Sequence, residues 1–268
     1  FIFRDMDKAL DFIKEIIKKK KFGIVIDPDV DGLTSAATMV NFLKDNFNVE
    51  YIYFIPYGKS HELDEKKMEE IKNSECKYII IPDAGSSDIK QCKELKELGK
   101  KILILDHHGY TDESIRKYAT LINCTDGSYP NVNLSGATVV QKTIDAFVEK
   151  YSKEYNLNRE QRDKYLDLVS LGTIADSIDL ANPEARYYAV EGLKPKYENN
   201  ECIKEICLQA EYEMKMGKTI KTIGFNIAPC MNAIVRYGKP ADEKKGIQSE
   251  FEILFRALIN EQETFVYQ

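Results

Sequence analysis

Five short apolar runs constrain the fold of this chain more than any other feature. Each run is rich in Ile, Leu, Val or Tyr and nearly continuous rather than alternating, which is typical of strands that are covered on both faces. Segments with helical periodicity lie between the first four runs, at the spacing of β-α-β units. We therefore predict an α/β fold, with a parallel five-stranded sheet and flanking helices. The runs are FGIVID from residue 22, YIYFIP from residue 51, KYIIIPD from residue 77, KILILD from residue 101 and ATLINC from residue 119.

The second half of the chain has a different character. From Leu134 onward the periodicity is helical, and we find no internal repeat. We predict a leading helix over residues 1–21, a core over 22–180 and a helical extension over 181–268. The chain begins inside an amphipathic pattern without a Met, so we expect it to be a piece of a longer protein. The lysine runs at 18–21 and 66–67 are interpreted as solvated helix faces.

Composition indicates an ordinary globular protein. Hydrophobic residues make up 43% and charged residues 31%, with no apolar run long enough to cross a membrane. A signal-peptide pattern is absent and the six cysteines form no C-x-x-C pair, so we expect a reduced, cytoplasmic protein. Cys202 and Cys207 lack the further ligands of a zinc site. The formal net charge of −6 does not suggest a nucleic-acid binder, although two divalent cations at an acidic site would nearly cancel it.

Carboxylates and imidazoles follow three of the predicted strands. The ends of parallel strands meet at one edge of a sheet, where ligands bind in such folds. A further aspartate lies inside an otherwise apolar predicted helix, LGTIADSIDL. We expect all of these side chains to converge. They are Asp27, Asp29 and Asp31 after the first run, Asp83 after the third, Asp106, His107 and His108 after the fourth, and Asp176 in the helix.

A metal site explains this concentration of acids. Strand-end aspartates often form turns and caps, and for Asp27 alone that interpretation would suffice. For the whole set we favour cations, because like carboxylates repel one another and two divalent ions would offset about five negative charges. Carboxylate and imidazole ligands suit Mn²⁺, Mg²⁺, Zn²⁺ or Fe²⁺, and the absence of cysteine from the set disfavours structural zinc.

Four motifs carry a resemblance to a known family. DPDVDG, PDAG, LDHHG and LGTIADSIDL resemble, in order and spacing, the motifs of the DHH phosphoesterase superfamily over about residues 22 to 240. The D-x-D-x-D-G form of the first motif, LSGATVVQK and FNIAPCMNAIVRYG are similar to the RecJ branch of single-strand-specific 5′→3′ exonucleases. The resemblance implies a two-metal phosphodiesterase with Mn²⁺, or alternatively Mg²⁺, that uses a metal-activated water. It also implies single-stranded DNA as substrate, and a single-strand-binding protein or replication and repair proteins as partners.

The resemblance also implies a role for each residue. Asp27 and Asp29 would bind one metal, Asp31 and His107 the other, with Asp83 bridging and Asp176 at or between them. Asp106 would orient a histidine, and His108 would face the scissile phosphate. Asn232 and Arg236 would hold the DNA backbone, and Ser135 with Gly136 would offer a helix N-terminus to a phosphate.

The sequence departs from the family pattern in three respects, and alternative functions stay open. Ala84 replaces the usual asparagine of the second motif, and Ile234 with Val235 replaces a small residue and glycine before Arg236. The family's C-terminal DHH-associated domain and its oligonucleotide-binding domain are not recognisable in the sequence, where EILFRALINEQETF resembles the start of a linker helix. The alternatives are a phosphodiesterase of short oligonucleotides or cyclic dinucleotides, a pyrophosphatase, or a non-catalytic replication and repair scaffold.

Overall fold

The computed structural model describes residues 3–55, 62–214, 217–241 and 248–261. Five parallel strands form one sheet in the order β2-β1-β3-β4-β5. The predicted α/β class, the parallel arrangement and all five strands are confirmed. The strands are β1 (Lys21–Val25), β2 (Glu50–Phe54), β3 (Tyr78–Pro82), β4 (Lys101–Asp106) and β5 (Thr120–Asn123).

Helices connect the first four strands and make up most of the second half of the chain. Glu113–Lys117 and Pro195–Tyr197 are short 3-10 helices, and a π-helical turn, Ile223–Ile227, joins α10 to α11. The α-helices are α1 (Met6–Lys19), α2 (Val30–Phe47), α3 (Glu65–Asn73), α4 (Ile89–Glu97), α5 (Gly136–Tyr155), α6 (Arg159–Asp163), α7 (Leu166–Ala175), α8 (Pro183–Glu191), α9 (Glu201–Met214), α10 (Ile220–Thr222), α11 (Ala228–Tyr237) and α12 (Glu250–Leu258).

The sheet is buried on both faces, which explains why its strands are apolar without alternation. Alternate residues along a strand point to opposite faces. On β3, Ile80 therefore belongs to the core shared with α1, α2 and α5, whereas Ile79 and Ile81 belong to the core shared with α3 and α4. All five residues of β3 are buried, as expected for the central strand.

The C-terminal helices pack against the α2 side of the core. Phe255 and Leu258 of α12 are fully buried. The carbonyl of Leu258 accepts hydrogen bonds from Asn41 of α2 at 3.0 Å and from Asn200 at 2.7 Å. The part of EILFRALINEQETF beyond residue 261 and the second half of the predicted loop GKPADEKK, residues 242–245, lie outside the described residues. Among the helices of the described residues, none has the length and apolar character to cross a membrane.

Two local predictions are wrong. Lys67 is only 1% exposed, because α3 turns this side chain toward the sheet, whereas Lys66 is exposed as expected. Asp176 is not inside a helix: α7 ends at Ala175, and Asp176 is the residue that caps it. The apolar periodicity continues across this end, so it could not reveal that the helix stops one residue before the carboxylate.

Candidate metal centre

The loop between β1 and α2 presents the first group of carboxylates. Asp27 follows the strand and is buried, and Asp29 is the N-cap of α2. Asp29 accepts a hydrogen bond from the Gly32 N–H at 2.9 Å, which satisfies one of the free donors of the first helical turn. Asp31 lies within that turn and is also buried. The D-x-D-x-D-G spacing therefore produces a strand end, a helix cap and a residue of the first turn.

Asp31 is held by the N-terminus of a second helix. Its carboxylate accepts hydrogen bonds from the N–H groups of Gly136 at 2.6 Å and Ala137 at 3.1 Å, at the start of α5. Ser135 is the N-cap of α5, and its buried hydroxyl accepts from the Thr138 N–H at 3.2 Å. The helix N-terminus thus stabilises a carboxylate of the protein itself. The predicted phosphate contact of Ser135 and Gly136 stays a prediction.

His107 lies at the centre of the acidic cluster. Its Nε2 atom is 3.1 Å from Asp83 Oδ1, 3.6 Å from Asp176 Oδ2 and 4.0 Å from Asp31 Oδ2. Asp83 follows β3 in the left-handed region, at φ 62°. Asp176 approaches from the end of α7. Residues from three distant parts of the chain therefore face one imidazole nitrogen.

Potential ligand atoms form three groups whose members lie within 4.8 Å of one another. One group contains Asp27, Asp29 and Asp83, and a second contains Asp31, His107 and Asp176. Asp83 also belongs to the third group, with His107 and His108. All the ligands predicted from the sequence are thus brought together. The assignment of each to one of two ions stays a prediction.

Three glycines make room for these carboxylates. A Cβ atom on Gly136 would lie 2.3 Å from Asp83 Oδ1, and one on Gly172 would lie 2.4 Å from Asp31 Oδ1. A Cβ on Gly32 would lie 2.5 Å from the Cβ of Asp27. Real Cβ atoms do not approach other atoms so closely, so each helix reaches the cluster only because a glycine stands at the contact.

The electrostatics of the cluster suit a cation. Burial, and then the charges of Asp31, Asp29 and Asp27, raise the pKa of Asp83 well above its usual range. Burial and the charges of Asp176 and Asp29 do the same to the pKa of Asp31. The Oδ1 atom of Asp83 accepts no hydrogen bond from the described residues, although His107 lies nearby. Buried carboxylates of this kind need a positive charge, and their oxygen and imidazole donors fit Mn²⁺ or Mg²⁺.

The two neighbouring histidines have opposite electrostatic environments. Burial and the adjacent His108 lower the pKa of His107 to about 4, which leaves a neutral imidazole able to bind a metal. A hydrogen bond with Asp106 raises the pKa of His108 to about 9. The Nδ1 atom of His108 lies 2.8 Å from Asp106 Oδ1. His108 is therefore a cation at neutral pH, and nearly half of its side chain is exposed.

Asp106 organises the loop that carries both histidines. Its carboxylate accepts from the backbone N–H groups of His107 at 2.7 Å, His108 at 3.1 Å and Ser86 at 3.2 Å. Burial alone would raise the pKa of Asp106, but the hydrogen bonds from His108 and Ser86 lower it overall. In this structure Asp106 contacts His108 and leaves the ring of His107 free for the acidic cluster. This arrangement agrees with a carboxylate that orients a histidine.

Asn232 and Arg236 lie beside the cluster on α11. The Asn232 Oδ1 atom accepts a hydrogen bond from the Val30 N–H at 3.2 Å, between Asp29 and Asp31. Asn232 thus connects α11 to the first motif. Arg236 is exposed and lines a depression next to Ser177. Their proposed contacts with DNA stay predictions.

Sequence reasoning assigned no role at the site to three residues that lie close to it, which are Asn123, Ser86 and Lys67. Asn123, at the end of β5, donates to the His108 carbonyl at 2.9 Å and to the Ser86 hydroxyl at 3.0 Å. Ser86 therefore braces this loop through its hydroxyl, and the N-cap of α4 is Asp88. Burial lowers the pKa of the Lys67 ammonium, while the charges of Asp64 and Asp27 raise it. The strand-end position of Asn123 was the signal that could have identified it.

The fold and the site together define an α/β protein with a cluster of acidic and histidine side chains, able to hold a metal, at the carboxyl edge of a parallel sheet. The chain belongs to the DHH family: the model of the DHH family N-terminal domain matches residues 21–173. The match includes every predicted ligand except Asp176.

Two relatives of similar sequence and one solved structure of similar fold are exonucleases by name. The chain is 33% identical over 250 residues to the "Putative SPbeta prophage-derived single-strand DNA-specific exonuclease YorK" of Bacillus subtilis, covering 92% of this chain and 41% of that protein. It is 30% identical to the single-stranded-DNA-specific exonuclease RecJ of the same organism, covering 88% of this chain and 29% of RecJ. The chain thus spans less than half the length of these relatives. Its fold resembles a crystal structure of exonuclease RecJ bound to manganese, with a TM-score of 0.79, 20% identity and coverage of 98% of this chain and 62% of that one.

Proposed function

We propose that this chain is the metal-binding part of a 5′→3′ exonuclease that hydrolyses single-stranded DNA with two divalent cations. The observation that carries the proposal is the pair of ligand groups, Asp27-Asp29-Asp83 and Asp31-His107-Asp176, each within 4.8 Å, at one edge of the sheet. Similarity to relatives named as single-strand-specific exonucleases supports the choice of substrate. Activity, polarity and substrate of the whole protein are part of the proposal.

The ligand groups suggest how two ions are held. Asp27 and Asp29 would hold one ion, Asp31, His107 and Asp176 would hold the other, and Asp83, which belongs to a group with Asp27 and Asp29 and to a group with His107, would contribute to both. We favour Mn²⁺, with Mg²⁺ as the alternative, because the donors are carboxylate oxygens and one neutral imidazole. When bound, such cations lower the pKa of water and neutralise the charge of the phosphate.

The remaining residues act on the substrate. His108 is protonated at neutral pH and partly exposed, so it donates a hydrogen bond to a phosphate oxygen as negative charge develops. Asp106 fixes the imidazole for this contact through its 2.8 Å hydrogen bond. Arg236 neutralises a phosphate of the DNA backbone. The cytoplasm and contacts with a single-strand-binding protein or replication and repair proteins belong to the same proposal.

The test is metal-dependent release of nucleotides from labelled single-stranded DNA. We expect Mn²⁺ to support release of mononucleotides from the 5′ end, and we expect a phosphorothioate block at that end, but not at the 3′ end, to stop it. Cyclic dinucleotide and pyrophosphate are assayed in parallel. Preferential hydrolysis of either would replace the exonuclease proposal with the corresponding smaller-substrate function.

Two matched variants distinguish the loss of a carboxylate in the cluster from the loss of a carboxylate elsewhere on the protein. Asp31→Asn removes a buried carboxylate of the cluster and should abolish hydrolysis. Asp112→Asn changes an exposed aspartate that caps a 3-10 helix by accepting from the Ser114 N–H, and it should retain full activity. Full activity in a folded Asp31→Asn protein, or metal binding without any hydrolysis in the wild type, would contradict the proposal.

A further inference from the structure

A depression of about 400 Å³ lies at the amino edge of the sheet, where the strands begin. It is lined by the first residues of β3, β4 and β5, which are Tyr78, Lys101 and Thr120. The candidate metal centre lies at the opposite edge, because its residues follow the ends of the strands. Along β4, Lys101 and Asp106 are the first and last residues, which places them about 16 Å apart. This amino-edge depression is therefore separate from the metal centre.

Positively charged side chains dominate the amino-edge depression, which is lined by six cations and two carboxylates. Carboxylates outside the lining pair with two of these cations. The Nζ atom of Lys8 lies 2.7 Å from Asp5 Oδ1, and Arg116 pairs with Asp5 and Asp126. None of the other four ammonium groups forms an ion pair with a residue that the structure describes. These four lysines are Lys96, Lys100, Lys101 and Lys117, and the two carboxylates of the lining are Asp11 and Glu15.

Backbone carbonyls hold two of the four lysines in place. The Nζ atom of Lys96 donates to the Lys117 carbonyl at 2.5 Å, and that of Lys100 donates to the Cys76 carbonyl at 2.8 Å. Burial lowers the pKa of the Lys100 ammonium, as expected for a cation without a nearby carboxylate. Lys101 and Lys117 are exposed, so their ammonium groups can reach a ligand. The depression thus combines two positioned charges with two accessible ones.

The balance of charge selects the class of ligand. Four lysines against two carboxylates leave an excess of two positive charges, in a chain whose net charge is −6. A concave surface of one sign focuses its potential and raises the local concentration of counter-ions. A phosphate monoester carries a charge of about −1.5 to −2 at neutral pH and three acceptor oxygens, which match this excess.

The size and the remaining groups of the depression suit a small molecule. Its volume of about 400 Å³ lies within the range of small-molecule sites. Asp11 and Glu15 line the side formed by α1, and carboxylates accept hydrogen bonds from hydroxyl groups. A sugar phosphate, for example, carries both a dianion for the lysines and hydroxyl groups for the acids.

We propose that the amino-edge depression binds a phosphate dianion, either free or as the monoester of a small molecule. Lys101 and Lys117 donate hydrogen bonds to the phosphate oxygens, and Lys96 and Lys100 add positive charge that is already in position. This site is independent of the proposed exonuclease function, because it lies at the other edge of the sheet and requires no metal.

The experiment is calorimetric titration at low salt, with EDTA present so that no metal-bound phosphate is measured. The ligands are inorganic phosphate, ribose 5-phosphate and ribose. We expect the wild type to bind both phosphates and not ribose. Lys101→Gln and Lys117→Gln should each weaken phosphate binding roughly tenfold, since each removes a hydrogen bond to a charged group. Asp11→Asn should instead tighten it, because a negative charge of the lining is lost.

A matched lysine controls for the loss of one charge anywhere on the protein. Lys93 is exposed on α4, does not line the depression and pairs only loosely with Glu97, at 3.9 Å. Lys93→Gln should therefore bind phosphate as the wild type does. Lys101→Arg, which keeps the charge and the donors, should retain most of the affinity and so exclude a folding defect at this position.

The two phosphate ligands distinguish the sources of the dianion. Tighter binding of ribose 5-phosphate than of phosphate identifies an ester, whereas equal affinities identify the free anion. The proposal is overturned if neither phosphate binds saturably, if ribose binds as well as its phosphate, or if Lys93→Gln loses as much affinity as Lys101→Gln. Weaker phosphate binding in Asp11→Asn would also contradict it. None of these results depends on hydrolysis, so the exonuclease proposal is tested separately.

Discussion

Replacing Asp83 with asparagine should have opposite effects on stability without and with metal. Asp83 is 1% exposed, and its carboxylate lies within 4.8 Å of ligand atoms of Asp27 and Asp29. Asparagine has nearly the same shape but no charge, so it removes repulsion and preserves packing. It also removes a carboxylate that, like His107, belongs to two of the three groups.

The size of the effect follows from the geometry. Two unit charges 4.8 Å apart repel by about 3.5 kcal/mol at an effective dielectric constant of about 20. Because the pKa of Asp83 is raised, the metal-free site already relieves part of this repulsion by binding a proton. We therefore expect Asp83→Asn to stabilise the metal-free protein by about 1 to 3 kcal/mol, which raises Tm by roughly 2 to 10 °C.

Metal should reverse the order of stability. Mn²⁺ at about a thousand times its Kd would stabilise the wild type by about 4 kcal/mol. Asp83→Asn should lose most of this gain, together with hydrolysis, because a shared ligand is missing. Thermal unfolding with EDTA and with Mn²⁺, for both proteins, measures the two effects. An asparagine variant that is less stable than the wild type in EDTA, or that keeps the full gain from Mn²⁺, would refute the reasoning.

The same electrostatics determine the pH dependence of the metal-free protein. Asp83 and Asp31 have higher pKa values in the folded protein than in the unfolded chain. Their contribution to stability is therefore present below the unfolded pKa of about 4 and is lost as the pH rises toward neutrality. Unfolding in urea at a series of pH values should show this loss in EDTA and a smaller loss in Asp83→Asn. If the gap in stability between Asp83→Asn and the wild type in EDTA does not widen as the pH rises from 4 to 7, the raised pKa values are contradicted.

Three further predictions concern other parts of the molecule. His108→Gln should keep the stabilisation by Mn²⁺ but lower kcat about 100- to 1000-fold, since its partner is the phosphate; loss of the Mn²⁺ effect in thermal unfolding would make His108 a ligand instead. Gly136→Ala should abolish Mn²⁺ binding and lower the free energy of unfolding by about 1 to 3 kcal/mol, because the new Cβ would lie 2.3 Å from Asp83 Oδ1. Gly127→Ala is the control for new contacts, because no atom lies within 4 Å of the added Cβ. Its φ of 79° adds backbone strain. Arg116→Met should destabilise the folded protein by about 3 to 5 kcal/mol without changing its affinity for Mn²⁺, because this largely buried guanidinium pairs with Asp5 and Asp126. A loss of unfolding free energy below about 1 kcal/mol, measured in urea, would show that the ion pairs contribute little.

The sequence alone determined the sheet and the convergence of the acids. Burial on both faces makes each strand a continuous apolar run, so the five strands could be located from hydrophobicity. A parallel sheet then requires that Asp27, Asp83 and Asp106 reach the same edge, because residues that end parallel strands share it. The exact end of a helix carries a weaker signal, which explains the error at Asp176: the apolar pattern continues past the last hydrogen-bonded turn.

Only the tertiary structure decided which partner each group takes. Asp31 accepts from the N-terminus of α5, more than one hundred residues away in sequence, and Asp106 contacts the imidazole ring of His108 rather than that of His107. Lys67 is buried because it lies on the face of α3 that packs against the rest of the protein. The sequence of two adjacent lysines does not show which of the two side chains lies on that face. The depression beside Asp176 likewise depends on how α11 packs against α7. Periodicity reports which residues leave water, whereas pairings and cavities depend on three-dimensional distances between segments that are remote in the chain.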